Sequence, residues 1–379
     1  MKPVVATFGA LTAAAALTLS GCAKDSAGSS SGAITVDASD SGCKVSATKL
    51  KAGPSTFKVT NSGSKVTEFY VYAAGDRIMG EVENIGPGLT RKLVVDLPKG
   101  KYQGACKPGM VGDGFRQTLA VTGQSTKPLS DSAELKAAAK SYERYVESQT
   151  VGLIDKTTEF VTAVKAGNVD EAKKQYPIAR TYWERIEPVA EKFGNLDPLT
   201  DGRAADAKAE KRDFTGWHRI ERQLWVDGNT DGMGKYADNL LVNVKKIVKL
   251  GEDAPLTALE MAQGSKGLLD EVASSKITGE EDAYSHTDLW DFKANIEGSQ
   301  AAIASLRPVL LKQDPALVKQ IDAASKALDT DLAQYQAADG SWTSYDKLTK
   351  SQVKTLSDLV AALSEPISMV AAVVAKSGS

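Results

Sequence analysis

The sequence predicts two domains of different class, a β-sandwich over residues 34–124 followed by an all-α helical bundle over residues 130–379. Three observations predict them. Before residue 124, short runs of alternating or β-branched residues are punctuated by Gly and Pro, the pattern of a strand-and-turn domain. After residue 130, apolar residues recur at helical spacing and Ala and Lys crowd the chain, as in a helical protein. Thr126-Lys127-Pro128 separates the two patterns and reads as a linker. At 379 residues and 42% hydrophobic composition, the chain is long enough for separate cores. Basic and acidic residues nearly balance, 46 against 48, with no basic tail or patch, so nucleic acid is excluded as a partner.

In chain order, the first segment is a targeting sequence. Lys2 is followed by the small, apolar residues 3–18 and then by Leu19-Ser20-Gly21-Cys22. That apolar run is too short for a membrane span with polar flanks and suits a signal sequence. The Leu-Ser-Gly-Cys junction resembles a bacterial lipobox. It implies a signal peptide over residues 1–21, lipidation of Cys22, and a tether over residues 22–33 containing Ser26-Ala27-Gly28-Ser29-Ser30-Ser31-Gly32. No other stretch reads as a bilayer span. The expectation is an exported protein, lipid-anchored to the outer face of the cell membrane, in the periplasm or at the cell surface.

Residues 55–60, 68–72 and 91–97 are the clearest strands, separated by Gly53-Pro54, Gly86-Pro87-Gly88 and Pro98-Lys99-Gly100. Two cysteines remain after Cys22, and in an exported protein Cys43 and Cys106 most simply pair as a disulfide. The context of Cys106 opens a second reading. Cys106-Lys107-Pro108-Gly109-Met110-Val111-Gly112-Asp113-Gly114 resembles the ligand loop of cupredoxins, and Thr67-Glu68-Phe69 the segment that supplies their first histidine. The domain contains no histidine, whereas a blue-copper centre needs two imidazoles and a thiolate. The resemblance therefore implies a cupredoxin-like fold, with a possible copper or iron site drawn from Glu68, Cys43, Cys106, Met110 and Asp113.

The helical part is predicted as seven to nine helices in one long bundle or two stacked ones. The first runs from Asp131 to Ala166 and the second to Phe193, with a stop at Gly194; later helices fall near 235–250, 256–274, 286–312, 315–336 and 350–376. Pro188, Pro308 and Pro366 mark starts or kinks. Before the 286–312 helix, Ser285 or Thr287 suits a cap, and His286 reads as a surface or capping residue.

One phrase is written twice in this part. Trp183-Glu184-Arg185-Ile186-Glu187 is echoed 34 residues later by Trp217-His218-Arg219-Ile220-Glu221. On a helix, residues i and i+3 share a face, so Glu184 with Glu187 and His218 with Glu221 each present two metal-type side chains in one direction. Helical bundles build metal sites from such couples. The loop between the phrases, Asn195 to Gly202, carries Asp197 and Asp201 toward the same place. The bland alternative is a pair of solvated helix faces. A site of carboxylates and one imidazole suits iron, manganese or zinc better than copper(I). There is no His-Glu-x-x-His helix, Walker loop or dinucleotide fingerprint.

Taken together, Ala105 to Gly114, Trp183 to Glu187, Gly194 to Asp201 and His218 to Glu221 resemble the EfeO family. That resemblance implies a cupredoxin-like domain joined to an imelysin-like helical domain. It implies an extracytoplasmic iron-binding protein of a bacterial iron-uptake system, working with a membrane permease and a haem peroxidase-like component. Carried over residue by residue, its metal site is Glu184, Glu187, Asp201, His218 and Glu221, holding ferric or ferrous iron, or zinc. The reading is of a binding and delivery protein rather than an enzyme. The alternatives are a metallopeptidase-like or ferroxidase enzyme and a carbohydrate-binding surface lipoprotein.

Overall fold

The computed structural model describes residues 33–73, 78–123, 132–189, 196–253 and 256–377. The expected signal peptide, Cys22 and its tether, the Thr126-Lys127-Pro128 linker and the Gly194 stop lie outside those residues. The first domain has nine strands: β1 (Ile34–Ser39), β2 (Gly42–Val45), β3 (Lys49–Lys51), β4 (Gly53–Asn61), β5 (Thr67–Tyr72), β6 (Ile78–Ile85), β7 (Thr90–Leu97), β8 (Gly100–Pro108) and β9 (Phe115–Thr122). They form a four-stranded sheet, β2-β1-β4-β7, and a five-stranded sheet, β3-β9-β8-β5-β6. Side chains alternate between the faces of a strand, so Phe57, Val59, Leu93 and Val95 of one sheet meet Phe69, Val71, Leu119 and Val121 of the other in one core. Phe57 and Phe69 face each other across it, ring centroids 5.4 Å apart.

Cys43 on β2 and Cys106 on β8 are joined as a disulfide, Cα atoms 5.3 Å apart, which ties one sheet to the other. Of the two sequence readings, this geometry holds the disulfide and leaves neither sulfur as a thiolate ligand. The bond closes a separation of 63 residues. Replacing both cysteines by serine is therefore expected to cost about 4 kcal/mol of stability by freeing the unfolded chain. Calorimetry of the double variant checks this; an unchanged first-domain transition would contradict it.

The second domain has eleven α-helices among the described residues: α1 (Ala133–Lys165), α2 (Val169–Glu184), α3 (Leu196–Thr200), α4 (Ala204–Ala209), α5 (Gly216–Arg222), α6 (Gly234–Asp253), α7 (Ala258–Ser274), α8 (Asp288–Gln313), α9 (Pro315–Leu332), α10 (Lys350–Ile367) and α11 (Val370–Ser377). The count exceeds the expectation because the stretch from Leu196 to Arg222 folds into three short helices. One contiguous cluster of buried apolar residues runs from Leu135 to Val374 and joins the helices in a single core. Capping boxes open α7 (Thr257 with Glu260) and α10 (Thr349 with Gln352), each satisfying two orphan backbone N–H groups.

Two expectations are corrected here. By length and composition the run Lys350–Ser377 is apolar enough to cross a membrane, contrary to the sequence reading, an 18-residue window within it having a mean hydropathy of 1.6. It is folded as two helices, broken after Pro366, whose Leu356, Val360, Leu363, Ile367, Val370 and Val374 are buried in the common core. The second helix of the domain does not reach Phe193 either. It stops at Glu184, and residues 185–189 form a turn and a short 3-10 segment. The cause is Pro188, which has no N–H to give the Glu184 carbonyl. That carbonyl instead accepts from Asn295 Nδ2 at 3.1 Å. The segment lies pressed against two helices at glycines: a Cβ on Gly264 (α7) would sit 1.7 Å from the Pro188 carbonyl oxygen, and one on Gly298 (α8) 2.3 Å from that of Arg185.

The two domains meet along α7. Gln263 donates to the Val94 carbonyl of β7. Asp270 pairs with Arg91 at 3.5 Å while accepting from Ser364 of α10 at 2.7 Å.

Candidate metal centre

The site is built on one face of α2. Tyr176, Arg180 and Glu184 recur at four-residue spacing and are fully buried, which stacks them along the helix. Facing them on α8 are Asp288, Asp291 and Asn295, spaced three and four apart and likewise buried. Between these helices come Lys276, Glu281 and Asp282 from the connection after α7, Asp201 from the turn after α3, and His218 with Glu221 from α5. Helix α5 runs directly into a π-helical turn, Gln223–Asp227.

The second copy of the repeated phrase behaves as its spacing predicts. His218 Nδ1 lies 3.0 Å from Glu221 Oε2, with Tyr176 Oη at 3.3 Å from the same nitrogen. Glu221 Oε1 is occupied three times over, accepting from the Tyr284 and Ser285 backbone N–H groups at 3.0 and 2.8 Å and from Ser285 Oγ at 2.9 Å. Glu221 therefore fixes the orientation of the imidazole, and its own oxygens are taken. Such a carboxylate–histidine pair is the usual support behind a metal-bound imidazole.

With Nδ1 held, Nε2 is the free end of the ring. It is buried without a hydrogen-bond partner, an uncommon condition for a polar atom. Asp201 Oδ1 lies 3.3 Å away, outside the alignment a hydrogen bond needs, and Glu281 Oε1 lies 3.7 Å away. These three atoms form one group able to hold a metal ion; His218, Glu221 and Asp282 form an overlapping second group. With Glu221 saturated, the donor set that fits a cation is Asp201, His218 and Glu281: two hard oxygens and one imidazole.

The first copy of the phrase does something else. Glu184 and Glu187 do not reach His218. Lys276 Nζ donates to Glu184 Oε2 at 3.0 Å and to both Glu187 oxygens at 2.8 Å. Asn295 Nδ2 bridges the same two carboxylates at 2.8 and 2.6 Å, and Arg180 takes Glu184 Oε1. They belong to an ion-pair layer beside the donor set, because Pro188 breaks the helix on which the two were expected to act as a couple. Trp183 contributes instead, its Nε1 donating to Asp201 Oδ2 at 2.7 Å.

The cluster is strongly acidic. Glu184, Glu187, Asp201, Glu221, Glu281, Asp282, Asp288 and Asp291 surround Arg180, Lys276 and one imidazole. Burial favours neutral carboxyls. It pushes Asp282 up to about 6 and Asp288 up to about 8, and with Glu184 it drives Glu187 well above the carboxylate range. The two oxygens facing Nε2 behave oppositely. Against burial, Lys276, His218 and Arg180 hold Glu281 well below its ordinary value, and Arg180 and His218 lower Asp201. The two carboxyls facing Nε2 are thus held toward the ionised form.

The expected second site in the β-domain does not assemble. Glu68 points to the face of β5 opposite Phe69, while Cys106, paired with Phe69, points into the core; successive strand residues face opposite ways, so no ion can bridge them. Burial and Glu83 push Glu68 up to about 8. Met110 lies on an exposed loop and the Asp113 side chain is 99% exposed. His286 is half-buried in a turn, its backbone bonded to Asp282 and Tyr345. Thr287 precedes α8, but its hydroxyl bonds Asp282 rather than capping the helix.

Sequence reasoning missed Arg180, Lys276, Glu281, Asp282, Asp291 and Asn295. The periodic sets on α2 and α8 carried a signal, polar residues on the apolar stripe of a helix. Glu281 and Asp282 sit in a turn and carried none.

Comparison with known proteins agrees with both domains. Residues 138–370 match the imelysin family and residues 9–121 a cupredoxin-like domain. The chain is 38% identical to "Iron uptake system component EfeO" of Escherichia coli (strain UTI89), over 339 residues covering 88% of this chain and 89% of that protein. It is similar at the same identity and coverage to the protein of that name from Shigella flexneri.

Proposed function

The chain belongs to the family of EfeO iron-uptake system components, and from that premise we propose that it is an extracytoplasmic carrier. It binds iron at Asp201, His218 and Glu281 and delivers it to a membrane permease. The observation that carries this reading is His218 Nε2, buried and without a partner, with two carboxylate oxygens at 3.3 and 3.7 Å. Two oxygens and one imidazole suit ferric or ferrous iron, and would also take zinc. Iron is the cargo here, so the site must release as well as bind. In this reading Cys22 carries acyl chains that hold the protein at the outer face of the membrane, where it meets the permease and a haem peroxidase-like component.

The test is metal analysis of the mature protein after equilibration with ferric citrate and with zinc. About one ion per chain, removed by a strong chelator, is expected; no retained ion would overturn the reading. Glu221→Gln should weaken binding by about 10–100-fold without abolishing it, as loss of a supporting partner does. Titration calorimetry measures this, and a loss as large as that of His218→Ala would instead make Glu221 a direct ligand. For the anchor, intact-mass spectrometry should find the mature chain beginning at an acylated Cys22. An unmodified amino terminus elsewhere would remove the anchor from the account.

A further inference from the structure

We propose that Arg180 is a built-in counter-cation of this site, which holds the two receiving oxygens and gives them up when the cargo binds. The proposal rests on the reading of the site above and concerns how that site loads and unloads. Arg180 is fully buried on α2. Its Nη1 donates to Asp201 Oδ1 and its Nη2 to Glu281 Oε1 at 3.2 Å. Those are the same two atoms that face His218 Nε2.

A cation held by Nε2 and these oxygens must therefore take them from the guanidinium. Two positive charges on one oxygen repel strongly in a buried, poorly screened setting. Arg180 has somewhere to go. Its Nε and Nη2 donate to Asp291 Oδ2 at 3.0 and 2.9 Å, Nη2 also reaches Glu184 Oε1, and Asp282 Oδ1 lies 3.5 Å from Nε. Withdrawal toward Asp291 and Glu184 leaves the guanidinium paired, so no isolated buried charge is created. The five donors of a planar fork permit this sharing, which a lysine point charge would not. For a carrier the consequence is reversibility. The guanidinium returns to Asp201 and Glu281 as the cation leaves, and its presence holds affinity below what the three donors alone would give.

The experiment compares wild type, Arg180→Gln and His218→Ala of the full mature chain by titration calorimetry with gallium(III) citrate, a diamagnetic stand-in for ferric iron, and with zinc. Arg180→Gln is expected to bind at least about tenfold more tightly than wild type. Equal or weaker binding by a folded Arg180→Gln would make Arg180 a positioning residue for Asp201 and overturn the proposal. If that variant does not fold, wild type decides. The nitrogen-15 resonances of the Arg180 guanidinium, assigned against Arg180→Lys, should shift on gallium binding, and unchanged resonances during binding would overturn it. His218→Ala separates the two levels. If it binds as wild type does, the site reading itself fails, whereas a loss in His218→Ala without a gain in Arg180→Gln removes Arg180's role alone.

Discussion

His218→Ala is expected to weaken iron and zinc binding by at least about a hundredfold, the largest functional effect of any single substitution in this chain. Losing a partner that merely supports a ligand typically costs 10–100-fold in metal affinity, and His218 is here the ligand itself. Its Nε2 is the one nitrogen in the donor set, flanked by Asp201 Oδ1 and Glu281 Oε1. Alanine would leave those two oxygens to Arg180, which already holds both. His286→Asn is the matched control: it removes the second of the chain's two histidines with a residue that tolerates its φ of +56°, keeps the backbone N–H that donates to the Asp282 carbonyl, and should leave the titration unchanged. Equal affinity in wild type and His218→Ala would mean that the cluster is an ion-pair network serving the fold. Glu184→Ala separates the layers. It sits in the ion-pair layer with Lys276 and Asn295, so its first effect should be on stability.

The largest stability effect is expected from Gly216→Ala, at about 4–5 kcal/mol. Gly216 opens α5 two residues before His218 and has φ of +77°. A side chain there costs roughly 1–2 kcal/mol in the left-handed region alone. A Cβ would also lie 2.0 Å from the Thr200 carbonyl oxygen and 2.5 Å from its carbonyl carbon. Both are backbone atoms, so relief requires the chain to move, at the upper end of the roughly 1–3 kcal/mol seen for overpacking. The two colliding segments carry Asp201 and His218, so the same movement pulls the donor atoms apart. Denaturant unfolding together with a zinc titration checks both consequences. A variant as stable as wild type that binds normally would show that the Thr200–Gly216 contact does not set the distance between the two ligands.

Much of the fold was legible because its signals are local. Alternation placed β4, β-branched and aromatic runs placed β5 and β7, and helical periodicity placed α1, α6, α7, α8 and α9 close to their observed bounds. Proline supplied both a success and a failure. Pro366 marked the break between α10 and α11, whereas Pro188 was read as compatible with a helix through Glu187 and in fact ends α2 at Glu184. That one missing N–H turned the first phrase from a ligand couple into a partner of Lys276. His218 and Glu221 meet as their spacing predicts because i, i+3 geometry survives in α5. Their different roles were not, because what occupies Glu221 are backbone amides of Tyr284 and Ser285, more than sixty positions away in sequence. Glu281 was invisible for the same reason: it lies in a turn and gains its meaning from His218 across the fold. In the β-domain, the Cys106 loop carried the fold resemblance, but the pleat sends Glu68 and Cys106 to opposite faces.

The central claim is that one cation is held by His218 Nε2 together with Asp201 and Glu281. Anomalous diffraction from crystals of the iron-loaded mature protein tests it most directly. The account predicts one strong iron peak in the helical domain, within bonding distance of those three side chains. Glu221 should lie behind the imidazole on Nδ1, outside the coordination sphere. A peak bonded to Glu184 and Glu187, or one in the β-domain beside the Cys43–Cys106 disulfide with none at His218, would contradict it.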